Sequence, residues 1–139
     1  MRKINKLFIH STATPAGRDV TADEICGWHR ARGWKKIGYH YVIRLDGTVE
    51  KARNMAKAGA HVAGHNTNSI GIAYVGGTDA NGQPQDTRTR EQRTALHTLL
   101  CELQAKFPNA TVHGHREFGN TACPSFDARE EFEKWNSGR

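Results

Sequence analysis

The sequence predicts an α/β fold: a single domain, residues 1–139, with a mixed central β-sheet flanked by helices. Three observations predict it. Short segments of strand composition alternate along the chain with segments of helical spacing. One strand segment, residues 70–75, is apolar without alternation, as a strand covered on both faces is. The 139 residues, 37% hydrophobic and 24% charged, fill one ordinary domain and are too few for two.

In chain order, residues 4–10 read as an extended segment that ends on His10, before the loop-forming run Ser11-Thr12-Ala13-Thr14-Pro15-Ala16-Gly17. Thr21 and Glu24 have the spacing of a capping box, and Ile25, Trp28 and Ala31 follow at helical spacing before Gly33, which gives a helix over 22–32. Residues 39–44 and 48–52 flank Asp46-Gly47, the dipeptide that supplies the positive φ of a tight hairpin turn. Residues 54–69 are rich in Ala, Gly, His and Asn without clear period and precede the buried strand at 70–75, which Gly76-Gly77 closes. Thr89 and Gln92 make a second capping box ahead of Leu96, Leu99, Leu100, Leu103 and Phe107, the strongest helix of the chain. Pro108 and Asn109 end it, residues 110–113 are extended, and a last helix is expected over 127–135. The expected whole is a mixed sheet with a long C-terminal helix packed on it.

Composition narrows the function. Twenty Lys and Arg against fourteen Asp and Glu give a net charge of +6, which favours an anionic partner such as nucleic acid, phospholipid or acidic cell-wall polymer. The longest apolar stretches are far shorter than a bilayer requires, so no membrane span is expected. Residues 1–10 lack the apolar run of a signal peptide, and synthesis in the cytoplasm is expected. Three cysteines, Cys26, Cys101 and Cys123, are an odd number and argue against a disulfide framework. Cys26 and Cys101 fall on helices and read as packing residues. No heptad pattern calls for an oligomer, and monomer is the default.

Eight histidines beside a spare cysteine raise the prospect of a metal site. His-Glu-x-x-His and Cys-x-x-Cys are absent. The segment His113-Gly114-His115-Arg116-Glu117 is followed by Cys123-Pro124-Ser125-Phe126-Asp127, and His10 at a strand end is available as a third ligand. Three protein ligands plus a water would make a catalytic zinc site. The competing reading is a set of hydrogen-bonded histidines and a small buried thiol. Glu117 is either a carboxylate partner of a ligand or a solvated ion pair. Trp28, His29 and Trp34 read as core or groove wall. No glycine loop has the spacing to cradle phosphate, so no nucleotide cofactor is expected.

Leu7-Phe8-Ile9-His10-Ser11-Thr12-Ala13-Thr14, Gly38-Tyr39-His40-Tyr41-Val42-Ile43, Asp46-Gly47-Thr48-Val49, Asn68-Ser69-Ile70-Gly71-Ile72, Val75-Gly76-Gly77 and Ala122-Cys123-Pro124-Ser125-Phe126-Asp127 occur in this order along the chain. Together they resemble the zinc-dependent N-acetylmuramoyl-L-alanine amidases, which include phage lysozymes and share their domain with peptidoglycan recognition proteins. The resemblance spans residues 7–127. It implies one Zn²⁺ ion held by His10, His115 and Cys123, a catalytic tyrosine at Tyr39 and a second catalytic position at Thr121. Phage lysozymes of this family carry a lysine at that second position and amidase-active recognition proteins a threonine, so Thr121 keeps a polar role without the charge. The resemblance also places His61 and Asn66 near the substrate groove; His65 replaces a tyrosine, and both loop histidines are candidates for groove or proton-transfer roles.

The activity implied is hydrolysis of the amide between N-acetylmuramic acid and L-alanine in peptidoglycan, by a phage endolysin that reaches the wall once the membrane is breached. The alternative within the superfamily is a peptidoglycan-binding module that does not cut. The resemblance further implies phage RNA polymerase as a second partner. A basic nucleic-acid binder is the reading from another class; the sequence lacks the recognised motifs and the interleaved aromatics that it would need.

Overall fold

The computed structural model describes residues 2–34 and 36–137. The chain opens with β1 (Lys6–Ser11), β2 (Thr14–Pro15) and α1 (Ala22–Ala31), then β3 (Tyr41–Ile43), β4 (Val49–Lys51), β5 (Ser69–Tyr74) and β6 (Gly77–Thr78). It closes with α2 (Arg90–Lys106), β7 (Thr111–Gly114), a single 3₁₀ turn His115–Glu117 and α3 (Ala128–Ser137). Five strands form the main sheet in the order β4-β3-β5-β1-β7. β1 pairs in parallel with both β5 and β7, β3 pairs in parallel with β5, and only β4 is antiparallel, through its hairpin to β3. The sheet is therefore mixed, as expected.

The local signals act where the sequence placed them. Gly47 takes a φ of +88° in the Arg44–Thr48 turn, which an L side chain resists. The Thr21 side chain accepts from the Glu24 N–H at the start of α1, and Thr89 and Gln92 form the full reciprocal box at the start of α2. Gln92 does more than cap: its side-chain amide donates to Ile43 O (3.2 Å) and Val75 O (2.9 Å). It thereby ties the helix to the ends of the two central strands from a fully buried position. Two features were not read from the sequence. β2, inside the expected loop 11–17, pairs with β6 over two residues, and the chain enters the 3₁₀ turn at His115 rather than continuing extended.

Alternation along β1 sorts its side chains to two faces. Leu7 and Ile9 point into a core with Ile70, Ile72, Leu96, Leu100 and Phe132, so α2 and α3 cover this face together. The long helix is α2, and the shorter α3 follows it. Phe8 and His10 point to the opposite face, where α1 covers only the β3 side through Ile25, Val42 and Val75. The rest of that face is left to loops, and the site lies there. No described helix is long and apolar enough to cross a membrane.

Candidate metal centre

His10 lies near the carboxyl end of β1, and β7 runs parallel beside it with Ile9 opposite Gly114. The next residue of each strand path is then a histidine, His10 and His115, and their rings meet at a centroid distance of 4.8 Å. Cys123 completes the group from the loop before α3. One ligand atom from each of the three lies within 4.8 Å of the others, and Cys123 Sγ is 3.7 Å from His10 Nδ1. A tetrahedral zinc with ordinary Zn–S and Zn–N bonds would hold those two atoms about 3.6 Å apart.

The surroundings suit a thiolate ligand. The Ser11 N–H donates to Cys123 Sγ at 3.2 Å, a bond that favours the charged sulfur, while burial pushes the thiol pKa up in the metal-free chain. The loop that carries the sulfur is pinned on several sides. Tyr74 donates its buried hydroxyl to Pro124 O (2.7 Å), the Arg116 N–H donates to Cys123 O (2.7 Å), and Ser125 Oγ donates to Gly77 O (2.9 Å). Gly114 is required here, because a Cβ would stand 2.9 Å from the Pro124 ring.

Behind the cluster, His10 Nε2 lies 2.9 Å from His61 Nδ1, and His61 Nε2 lies 3.2 Å from Ser69 Oγ. With His10 Nδ1 turned toward the sulfur, its Nε2–H is the proton that His61 accepts, and the His61 Nε2–H passes to Ser69. Burial lowers the pKa of His61 to about 3, with His40 and His115 adding to the effect, so the ring is neutral and free to accept. It fits because Gly71 has no side chain: a Cβ there would come within 2.7 Å of the His61 ring.

The Tyr39 ring lies against that of His10, ring centroids 5.0 Å apart. Burial, reinforced by the nearby Cys123, holds its phenol well above the ordinary pKa, so it is a hydrogen-bond donor throughout the neutral range. Thr121 is exposed at the rim, and its Oγ1 accepts from the Cys123 N–H at 3.2 Å.

A family model described as N-acetylmuramoyl-L-alanine amidase matches residues 1–126. The chain belongs to the N-acetylmuramoyl-L-alanine amidase family. Its reaction is accordingly the hydrolysis of the amide between N-acetylmuramic acid and L-alanine, and its partner is peptidoglycan. This amidase is 42% identical to the endolysin of Klebsiella phage KP32 over 133 residues, 96% of this chain and 88% of that one. It is 41% identical to the endolysin of Escherichia phage T7 over 128 residues, 92% and 85% of the two chains. Among solved structures, the amidase LysC from Clostridium intestinale superposes with a TM-score of 0.82 at 28% identity, covering 99% of this chain and 87% of its own. Drosophila PGRP-LB gives a TM-score of 0.80 at 25% identity, with 97% and 82% covered.

The remaining polar residues of this amidase divide into those at the centre and those that support it. Asn66 Oδ1 accepts from the His61 and Val62 N–H groups, both at 2.9 Å, so its side-chain oxygen shapes the loop that carries His61. His65 lies against Phe118 and Phe8. Glu117 turns away from His115: it accepts from the Gly114 N–H (2.7 Å) and pairs with His113 Nδ1 (3.0 Å). His113 shares the face of Phe8 and is held by Thr111 and Glu117, outside the ligand cluster.

His29 is the wall that the sequence suggested, while His40 and Arg2 carry more of the site than the sequence revealed. His29 accepts from the Gly38 N–H (2.9 Å) and sets its ring edge-on to Trp34 and tilted against Tyr39, which makes it a wall behind the tyrosine. His40 accepts from the Gly71 N–H at Nδ1 (3.0 Å) and so carries its proton on Nε2, which donates to Lys57 O (2.8 Å). Arg2 reaches the same loop from the amino terminus. The Gly-Tyr-His run pointed to this region, but no local signal paired its histidine with a carbonyl seventeen residues on.

Proposed function

We propose that this amidase is an endolysin that holds one zinc ion between His10, His115 and Cys123 and cuts peptidoglycan there, residues 1–139 forming one catalytic domain. The observation that carries the reading is the convergence of two imidazoles and one thiol within 4.8 Å, with a backbone N–H already on the sulfur. Two neutral imidazoles and a thiolate are a donor set that suits zinc. Zinc bound there supplies Lewis acidity toward the scissile carbonyl and acidifies water for attack near neutral pH.

The chain's own groups do the rest. Tyr39, protonated throughout the working range, donates a hydrogen bond to the carbonyl oxygen as negative charge develops on it. Thr121 orients water or the carbonyl with a neutral hydroxyl and adds no charge. His61 accepts the His10 Nε2 proton and keeps the Nδ1 lone pair of that ligand available. The resemblance also supports His61 and Asn66 as residues near the substrate groove. A cleft of about 680 Å³ is bordered by Arg30, Trp34, Lys36, Arg53 and Lys57, and the Arg53 N–H donates to Tyr39 O (3.2 Å). Four cations there suit the carboxylates of a stem peptide.

Production in the cytoplasm, access to the wall after the membrane is breached, and action as a monomer complete the reading. Phage RNA polymerase is a second proposed partner, supported by the resemblance alone; a pull-down without enrichment removes it. The decisive experiment digests purified peptidoglycan with wild type, chelator-treated protein and Cys123→Ala, and identifies the cleaved bond by mass spectrometry. New L-alanine amino termini that need both zinc and Cys123 establish the enzyme and its metal. Wall binding without cleavage by a zinc-loaded protein makes it a recognition module instead.

A further inference from the structure

An arginine next to the amino terminus is ordinarily solvated. Arg2 is instead held by main-chain oxygens from two distant stretches. Its Nε and Nη2 fork onto Met55 O (3.1 and 2.8 Å), and its Nη1 donates to Asn66 O (3.2 Å), Thr67 O (2.9 Å) and Ser69 O (3.1 Å). These carbonyls stand at the two ends of one segment, residues 55–69. That segment has no helix or strand before Ser69 and so no regular backbone ladder of its own to hold its shape.

The far side of the same segment is the back of the metal centre. Asn66, whose carbonyl Arg2 holds, grips the His61 N–H with its side chain (2.9 Å). Ser69, whose carbonyl Arg2 also holds, meets His61 Nε2 through its hydroxyl (3.2 Å). His61 then meets His10 (2.9 Å). His40 secures the segment near its start through Lys57 O. Its Nε2 proton is committed to that carbonyl, so the 3.2 Å approach of Arg2 Nη2 to Nε2 is a contact and not a further bond.

We infer that Arg2 is a positioning residue of the metal centre: its guanidinium fastens both ends of the 55–69 loop, and the fastened loop presents His61 to His10. A planar fork with five N–H groups is the side chain able to gather several carbonyls at once. A lysine in its place keeps the charge but offers one nitrogen. The consequence for zinc rests on the ligand assignment proposed above; the fastening of the loop does not.

The test therefore reads the two separately. Amide hydrogen exchange is followed by mass spectrometry on metal-free wild type, Arg2→Ala, Arg2→Lys and Arg129→Ala, the last removing an exposed cation on α3. Zinc affinity of each is measured by chelator competition. In Arg2→Ala, amides of residues 56–68 exchange about tenfold faster or more while those of β1 and β5 keep wild-type rates. Its zinc dissociation constant rises by up to about tenfold, below the 10–100-fold of losing a ligand's direct partner. Arg2→Lys falls between, and Arg129→Ala matches wild type. Unchanged loop exchange in Arg2→Ala, an equal rise in loop and core strands, or a faster loop with unchanged zinc affinity overturns the inference, as does an Arg129→Ala effect of the same size. If wild type binds no zinc yet Arg2→Ala frees the loop, the fastening stands and the zinc assignment falls.

Discussion

His61 Nδ1 sits 2.9 Å from His10 Nε2, which makes one histidine the tautomer-setting partner of another. His61→Ala leaves the His10 proton without an acceptor and opens a cavity above Gly71. Zinc affinity should fall about 10–100-fold, read by chelator competition, with activity restored at high zinc concentration. A variant that binds zinc as wild type does, with only its KM raised, would assign His61 to substrate alone.

Tyr39 and Cys123 should separate cleanly. Tyr39→Phe removes one hydrogen-bond donor while the ring stays against His10 and His29, so zinc content should hold and kcat should drop about 10²–10³-fold. Cys123→Ala should lose the metal itself. Metal analysis beside peptidoglycan turnover distinguishes the two, and loss of zinc from Tyr39→Phe would contradict the role given to the phenol.

What the sequence made legible follows from the range of each signal. Asp46-Gly47 fixes its hairpin, and Thr89 with Gln92 caps its helix, within four residues of chain. The ligand cluster was legible because His and Cys are chemically distinctive and the motifs around them recur in a known family. Strand order was not: β1 joins β5 and β7 in parallel across more than sixty residues in each case, and no local pattern encodes such partners. The 55–69 segment hid most, since its shape comes from Arg2, His40 and Asn66 side chains rather than from a periodic pattern. That is why His61 could be read as a groove residue but not as the neighbour of His10.

Charge reversal in the basic cleft tests the substrate reading. Lys36→Glu and Lys57→Glu change exposed residues beside Trp34 and Ile37, away from the metal ligands. KM should rise several-fold with kcat nearly unchanged, the effect of losing uniform binding, and the difference should shrink as salt is added. Equal KM values across the variants would place the stem peptide elsewhere.

Acid should destabilise the metal-free protein through its buried imidazoles. Burial lowers the pKa of His10, His40 and His61, the last to about 3. In each case the unfolded chain binds a proton that the folded chain refuses. Stability is therefore whole above the unfolded value of about 6.5 and declines as pH falls toward the folded values, by up to about 1.4 kcal/mol per pH unit for each ring. Urea unfolding between pH 7.5 and pH 4.5, roughly the window that these shifts define, should give a steep fall in wild type and a shallower one in His40→Gln. A flat profile would mean that these rings take up protons while folded.

Arg88 anchors a buried ion-pair network away from the ligand cluster. Its side chain is 1% exposed, and it donates to Asp86 (2.9 Å) and in a two-pronged bond to Glu131 (2.7 Å each) while lying 3.5 Å over the Phe126 ring. It joins the segment before α2 to α3 close to the loop of Cys123. Arg88→Ala leaves Glu131 without its cation and Asp86 with only the exposed Arg93 at 3.4 Å, and should cost about 3 kcal/mol of unfolding free energy, the low end for a broken buried pair. Arg88→Met keeps the stem on Phe126 and should cost less. Asp86 adds an acid limb of its own. Burial opposes its charge, but the Arg88 hydrogen bonds outweigh that and hold its pKa below the ordinary carboxylate range, so its contribution is present above the unfolded value of about 3.9 and is lost as pH falls through the folded one. The limb should shrink in Arg88→Met, where only the residue-88 N–H and Arg93 still favour the charged carboxylate, and an acid transition of undiminished size in that variant would assign it to other carboxylates.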